Sequence, residues 1–199
     1  MIYCSVLKMS NPPIIEIFYD GHFWNLSPGL TDTSSSFGGP VMHTITSDLK
    51  LDGAIIHNIA TLKLVKFGIG KPDFGFDIPL IFGVCHEGCE IEYRKTATHA
   101  IEITKLEPEE AEEGVPYYGY PPILPFYQLG VVETGSVTKE KLGEILYNTG
   151  WDVSESKLYA LVRQHPNVGH CLFKGDEDVE IAFGYCPNSG TFRAVTQCS

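Results

Sequence analysis

The chain has no apolar run near the ~18 residues that cross a bilayer. Its first ten residues lack the basic start and apolar core of a secretory signal. Basic residues are scarce: 14 Lys and Arg face 25 Asp and Glu, a formal net charge of -11. That balance argues against nucleic acid or an anionic membrane as the main partner, because both demand a basic face. A soluble, cytoplasmic chain is expected, with its six cysteines reduced rather than paired. Familiar catalytic sequences are also missing. There is no Gly-x-Ser-x-Gly elbow, no phosphate loop ending in Gly-Lys-Ser/Thr, and no His-Glu-x-x-His. Gly68-Ile69-Gly70 lacks the third glycine and the following helix of a dinucleotide fingerprint.

What remains is a chain of 199 residues, 43% hydrophobic, with 12% aromatics, 20 Gly and 13 Pro. Such a composition favours many strands and turns over long helices. A chain of this length buries a sizeable core without staples. Residues 1–199 are read as one domain, with residues 1–10 compatible with a loose extension and Met9 with an alternative start.

Residues 77–94 organise the reading. Ile78, Leu80, Ile81, Phe82 and Val84 form an apolar arm, as in a strand covered on both faces. Cys89, Ile91 and Tyr93 alternate with Glu90, Glu92 and Arg94 in a second, half-buried arm. His86-Glu87-Gly88 between them predicts a hairpin. Asp20-Gly21 predicts another, joining residues 14–19 to residues 22–26. Residues 27–40, rich in Ser, Gly and Pro, read as a loop. Short strands are expected near 41–46, 54–59, 60–67 and 98–106. After residues 107–113, five glutamates and one proline among seven positions, comes a proline-aromatic segment. Its prolines argue against regular helix and central strand over residues 115–127.

Two short helices are predicted next. Ser136 or Thr138 caps the first, which runs to about Asn148 with Leu142, Ile145 and Leu146 on one face. The second covers residues 155–164, with Leu158, Leu161 and Val162 apolar and His165-Pro166 as its stop. Strands at 168–174, 179–186 and 191–196 close the chain. The fold class is therefore α+β: mainly antiparallel β-sheet, with two short helices near residues 138–164 on one face or end.

Three groups carry candidate chemistry. Cys85, His86 and Cys89 offer thiolate and imidazole to zinc or, alternatively, form a thiol–imidazole pair. Against zinc stand the three-residue gap and the lack of a matching second pair, since His165, His170, Cys171 and Cys186 are differently spaced. Against the nucleophile, Glu87 and Glu90 raise a neighbouring thiol. Buried cysteines commonly act as small apolar side chains. Asp176-Glu177-Asp178 lacks a calcium-loop pattern, and His43, His57 and His99 are scattered over strands. The third group is aromatic: Tyr117, Tyr118, Tyr120, Phe126 and Tyr127 among prolines offer rigid amphipathic surface, the composition of interaction hot spots. The commoner role of such rings is as core, with hydroxyls reaching solvent.

By elimination, the sequence reads as a non-catalytic protein-binding module of inhibitory or immunity-like character, with no cofactor. Its partner is expected to be a protein with a basic surface. The alternative is a metal- or thiol-dependent enzyme centred on Cys85, His86 and Cys89.

Overall fold

A computed structural model of the chain describes residues 13–29, 34–47, 49, 55–69, 77–83, 90–97, 99–107, 121–149, 151, 158–163 and 179–198. Among them lie β1 (Ile15–Tyr19), β2 (His22–Pro28), β3 (Ser35–Gly39), β4 (Thr44–Ser47), β5 (His57–Lys63), β6 (Asp77–Phe82), β7 (Glu90–Ala97) and β8 (Ala100–Glu107). The remaining strands are β9 (Leu124–Ser136), β10 (Leu158–Val162), β11 (Val179–Cys186) and β12 (Thr191–Cys198), with one α-helix, α1 (Lys139–Ile145), between β9 and β10. All twelve strands hydrogen-bond into one sheet, ordered β4-β8-β7-β12-β11-β10-β1-β2-β9-β3-β5-β6. Neighbours are antiparallel except β4 and β8, which run parallel.

The β1–β2 hairpin turns on Asp20 at φ 49° and Gly21 at φ 76°. Two left-handed residues in succession match the right-handed twist of the flanking strands, and an Asp-Gly pair adopts them at low cost. β11 and β12 pair in unbroken register through a turn at residues 187–190.

The two-helix α+β expectation is overturned: the described residues are mostly β-sheet with a single α-helix. Residues 158–162, read as helix, form β10, paired with β1 on one side and β11 on the other. Every one of its five residues is buried. Apolar side chains on both faces satisfy helical and strand spacing alike, so periodicity alone does not separate a buried helix from a doubly covered strand. Both faces of β10 are indeed covered. Leu158, Ala160 and Val162 join the main core with Ile15, Ile17, Ile181 and Phe183. Tyr159 and Leu161 join a smaller cluster with Phe18, Ala182 and Leu146, beneath Leu142, Ile145 and Trp151. α1 supplies that lid. It starts as the sequence indicates, the Thr138 hydroxyl accepting from the Lys141 amide at 3.2 Å. It ends at Ile145, short of Asn148, and a 3-10 turn (Tyr147–Thr149) follows.

Two other expectations change. Residues 27–40 are not all loop, since β2 runs to Pro28 and β3 occupies Ser35–Gly39. Pairing with β9 and β5 overrides the weak strand preference of Ser and Gly. The buried Ser35 hydroxyl also accepts from the Lys63 amide at 3.0 Å. Residues 77–94 contain both predicted strands, but among the described residues no ladder joins them. β6 pairs with β5, while β7 pairs with β8 and β12.

β6 and β7 nevertheless meet. The Tyr93 hydroxyl donates to the Pro79 carbonyl at 2.9 Å and accepts from the Ile81 amide at 3.4 Å. Lys95 Nζ donates to the Asp77 carbonyl at 3.1 Å. The sheet thus rolls until its β6 edge lies against β7, and Ile78, Leu80, Ile91 and Tyr93 share one core. Burial pushes the Tyr93 phenol well above its ordinary range, opposed by the Ile81 amide. Tyr93 therefore acts as a neutral hydrogen-bonding strut between layers. Among the described residues no helix is long and apolar enough to cross a membrane.

Candidate functional site

The proline-aromatic segment is only partly described. Tyr117, Tyr118 and Tyr120 lie outside the described residues, as do Cys85, His86 and Cys89. His165, His170, Cys171, Asp176, Glu177 and Asp178 do as well, while Cys186 ends β11, half-buried. From Leu124 onward the segment becomes β9, a central strand between β2 and β3. This corrects the expectation that prolines bar a central strand there. Pro125 sits at the second position of β9, beside the irregular register between Phe37 and Gly39, where proline is tolerated.

The seat for that proline is built from glycine. Gly38 has φ +67°, and a Cβ there would lie 2.0 Å from the Pro125 carbonyl oxygen. Only glycine permits so close an approach in that conformation. Asn58 Nδ2 donates to the Gly38 carbonyl at 2.6 Å, and His57 Nε2 lies 3.0 Å from the Pro121 carbonyl. His57 and Asn58 are both buried. Two side chains of one β5 end thus pin the start of β9 and the bulge that receives it.

Successive residues of β9 then take opposite faces. Tyr127 turns inward, half-buried, its ring 6.4 Å from that of Phe37. Phe126 turns outward and is 60% exposed, and Ile123 just before the strand is 53% exposed. The Phe126 ring rests on Gly39, where an added Cβ would come within 3.0 Å of it. Sequence reasoning picked out both rings. The structure separates them into one core ring and one surface ring.

A second constellation was not legible. His43, before β4, and His99, before β8, have ring centroids 6.2 Å apart. The Thr44 amide donates to the His99 carbonyl at 2.8 Å, locking the two segments together. Lys63 Nζ meets Asp77 Oδ2 at 2.6 Å. Burial lowers the His43 pKa, assisted by Lys95, His99 and Lys63 and opposed by Asp77. Five segments therefore converge on one group of charges. Each histidine looks isolated in the sequence, and only the parallel β4–β8 pair brings them side by side. Among the described residues no group of three or more His, Cys, Asp or Glu comes together to hold a metal ion.

A second charged group is closed. Arg163, just past β10, meets Glu16 of β1 at 2.6 Å and also pairs with Glu180 of β11. Burial alone would lower the guanidinium pKa, but the two carboxylates outweigh it and raise it. On the outer face of β12 and β7, Arg193 meets Glu90 at 2.6 Å, and Lys105 meets it at 3.3 Å. Burial would raise the Glu90 carboxyl, but Arg193 and Lys105 hold it below its ordinary value.

Comparison of the chain with protein-family models, with curated proteins and with solved structures finds no match. Function therefore has to be argued from the geometry of this chain alone.

Proposed function

We propose that this chain is a non-catalytic binding module, and that it holds a protein partner at the point where β9 joins the sheet. The observation that carries the reading is Phe126. It is a large aromatic side chain left 60% exposed on a central strand, fixed in place on the Gly39 backbone. Rigid, exposed aromatic anchors are what protein interfaces concentrate binding energy in. Ile123 extends the apolar surface, and Tyr117, Tyr118 and Tyr120 adjoin it in sequence. The net charge of -11 favours a partner with a basic surface. A module of this kind works by covering its partner, as an inhibitor or immunity-like protein does.

Phe126→Ser tests this directly. Chemical cross-linking of the purified chain in its native cell extract should yield a basic protein whose capture weakens as salt is added. Phe126→Ser should reduce its affinity by about 30-fold, the loss of a ~2 kcal/mol anchor. Tyr147→Ser removes a more exposed ring, 77% accessible, elsewhere on the surface and should leave capture unchanged. Equal retention by wild type and Phe126→Ser defeats the reading.

A further inference from the structure

We propose that His43, Lys63, Lys95 and His99 form a binding site for a phosphate-like oxyanion at the rolled end of the sheet, around Asp77. The constellation draws on the approach to β4, the end of β5, the start of β6, the end of β7 and the approach to β8. Such convergence gives a site of fixed shape rather than a run of neighbouring surface charges.

The charge count selects an anion. Among the described residues, Asp77 is the single carboxylate that acts on His43, and Lys63 already pairs with it at 2.6 Å. Lys95 Nζ is directed to the Asp77 carbonyl oxygen, a neutral acceptor, and keeps its charge uncompensated by that contact. Among the described residues, two ammoniums directed at Asp77 leave a local surplus of one positive charge. This surplus stands out in a chain whose overall charge is -11. The imidazole pair, 6.2 Å between centroids, supplies N–H donors at a spacing that one tetrahedral oxyanion bridges. Ammonium and imidazolium groups together provide directional donors and net charge, the two requirements for holding phosphate. A cation is disfavoured by the same surplus, and the two histidines with Asp77 do not form a metal-binding group.

Among the described residues, Lys95, His99 and Lys63 oppose protonation of His43, and Asp77 favours it. A bound dianion would offset the first three. Binding of the dianion should therefore draw a proton onto His43.

The site lies away from the Phe126 seat. Lys63 and Asp77 pair at one end of the β5–β6 ladder, while Asn58 and His57 hold the Gly38 and Pro121 carbonyls at the other. Failure of one proposal therefore leaves the other standing.

The test is an imidazole NMR titration of the full chain with inorganic phosphate, with chloride at matched ionic strength as reference. The expected result is a saturable, phosphate-specific shift of both the His43 and His99 resonances. The His43 pKa should rise by about one unit at saturation. Lys95→Gln should weaken binding about tenfold or more, and Lys139→Gln on α1 should not change it. His43→Asn is the second variant: it should weaken phosphate binding about threefold or more, whatever Lys95→Gln does to the fold. A parallel titration with glycerol phosphate separates free phosphate from a phosphate ester as the natural source, by whichever binds more tightly. Shifts that follow chloride equally, or binding untouched in both site variants, overturn the proposal.

Discussion

Two charged clusters in this molecule use the same residue types to opposite effect. Around Arg163, two carboxylates surround one cation. Around Asp77, two lysines and two histidines surround one carboxylate. The first is largely removed from solvent: the Glu180 side chain is 5% exposed and that of Arg163 28%. The second keeps Asp77 half-exposed and His99 on the surface. A buried cluster must balance its charges or lose stability, because desolvation is costly for each unpaired ion. A wetter cluster can carry a surplus, because water screens it. Charge balance and burial together thus separate a clamp between strands from a site with charge left for a ligand.

The sharpest break of this contrast is Arg163→Leu. It strands Glu16 and Glu180 on the outer face of β1 and β11 without their shared partner. The expected loss is about 3 kcal/mol, at the low end for broken buried pairs because Arg163 retains some exposure. Urea unfolding should show a lower midpoint at unchanged slope. A loss under about 1 kcal/mol would mean that the clamp is no stronger than a surface pair.

The Asp77 cluster, by contrast, joins β7 to β6 through the Lys95 contact with the Asp77 carbonyl. Tyr93 braces the same two strands with two backbone hydrogen bonds. Tyr93→Phe keeps the ring, which stacks on Phe192 at 5.3 Å, and removes only the hydroxyl. The Pro79 carbonyl and Ile81 amide then lose that partner in a buried setting, for an expected cost of about 1–2 kcal/mol. The Lys95 contact with the Asp77 carbonyl should loosen as well, visible as a change in the His43 imidazole resonance. If stability falls but that resonance stays fixed, Tyr93 braces the core alone and some other contact positions Lys95.

How much of this was legible depended on how local the cause was. Asp20-Gly21 announces its hairpin because two residues contain the whole turn chemistry. The alternation of Val179, Ile181, Phe183 and Tyr185 announces β11, because one face of that strand packs in the main core. Thr138 announces α1 by its hydroxyl. β10 escaped because its polar contrast is erased by a second cluster on its other face, set by Phe18 and Leu146 far away in sequence. β3 escaped because Ser35 and Gly38 are chosen for contacts with Lys63 and Pro125, not for strand preference. The aromatic candidates were half resolved: composition pointed to Phe126 and Tyr127, but which face each takes depends on the β3–β9 register. The His43–His99 pair left no local trace at all, because a parallel crossover creates it. Nor did the Arg163 clamp, whose three residues come from separate strands or their ends.

Lys95→Gln should have the mildest effect on stability and the most informative effect on titration. Lys95 is one of three cationic or imidazole neighbours that lower the His43 pKa, after burial itself. Removing its charge should raise the His43 pKa toward its ordinary value while changing stability by no more than about 0.5 kcal/mol. The sign of the pH dependence follows from the same shift. A histidine whose folded pKa is depressed binds fewer protons in the native state than in the unfolded one. Stability should therefore decline as pH falls from about 6.5, the ordinary histidine value, through the lower native value, and then level off as far as His43 is concerned. The decline should stay under about 1 kcal/mol because the imidazole is only half-buried. Glu90, held below its ordinary value after burial is outweighed by Arg193 and Lys105, adds a separate loss below about pH 4.5. Chemical unfolding across this range should thus show two steps in wild type. Lys95→Gln should shrink the upper step and leave the lower one intact. An upper step of equal size in Lys95→Gln would show that burial sets the His43 pKa without help from its cationic neighbours, which would weaken the case for a charge surplus at that end of the sheet.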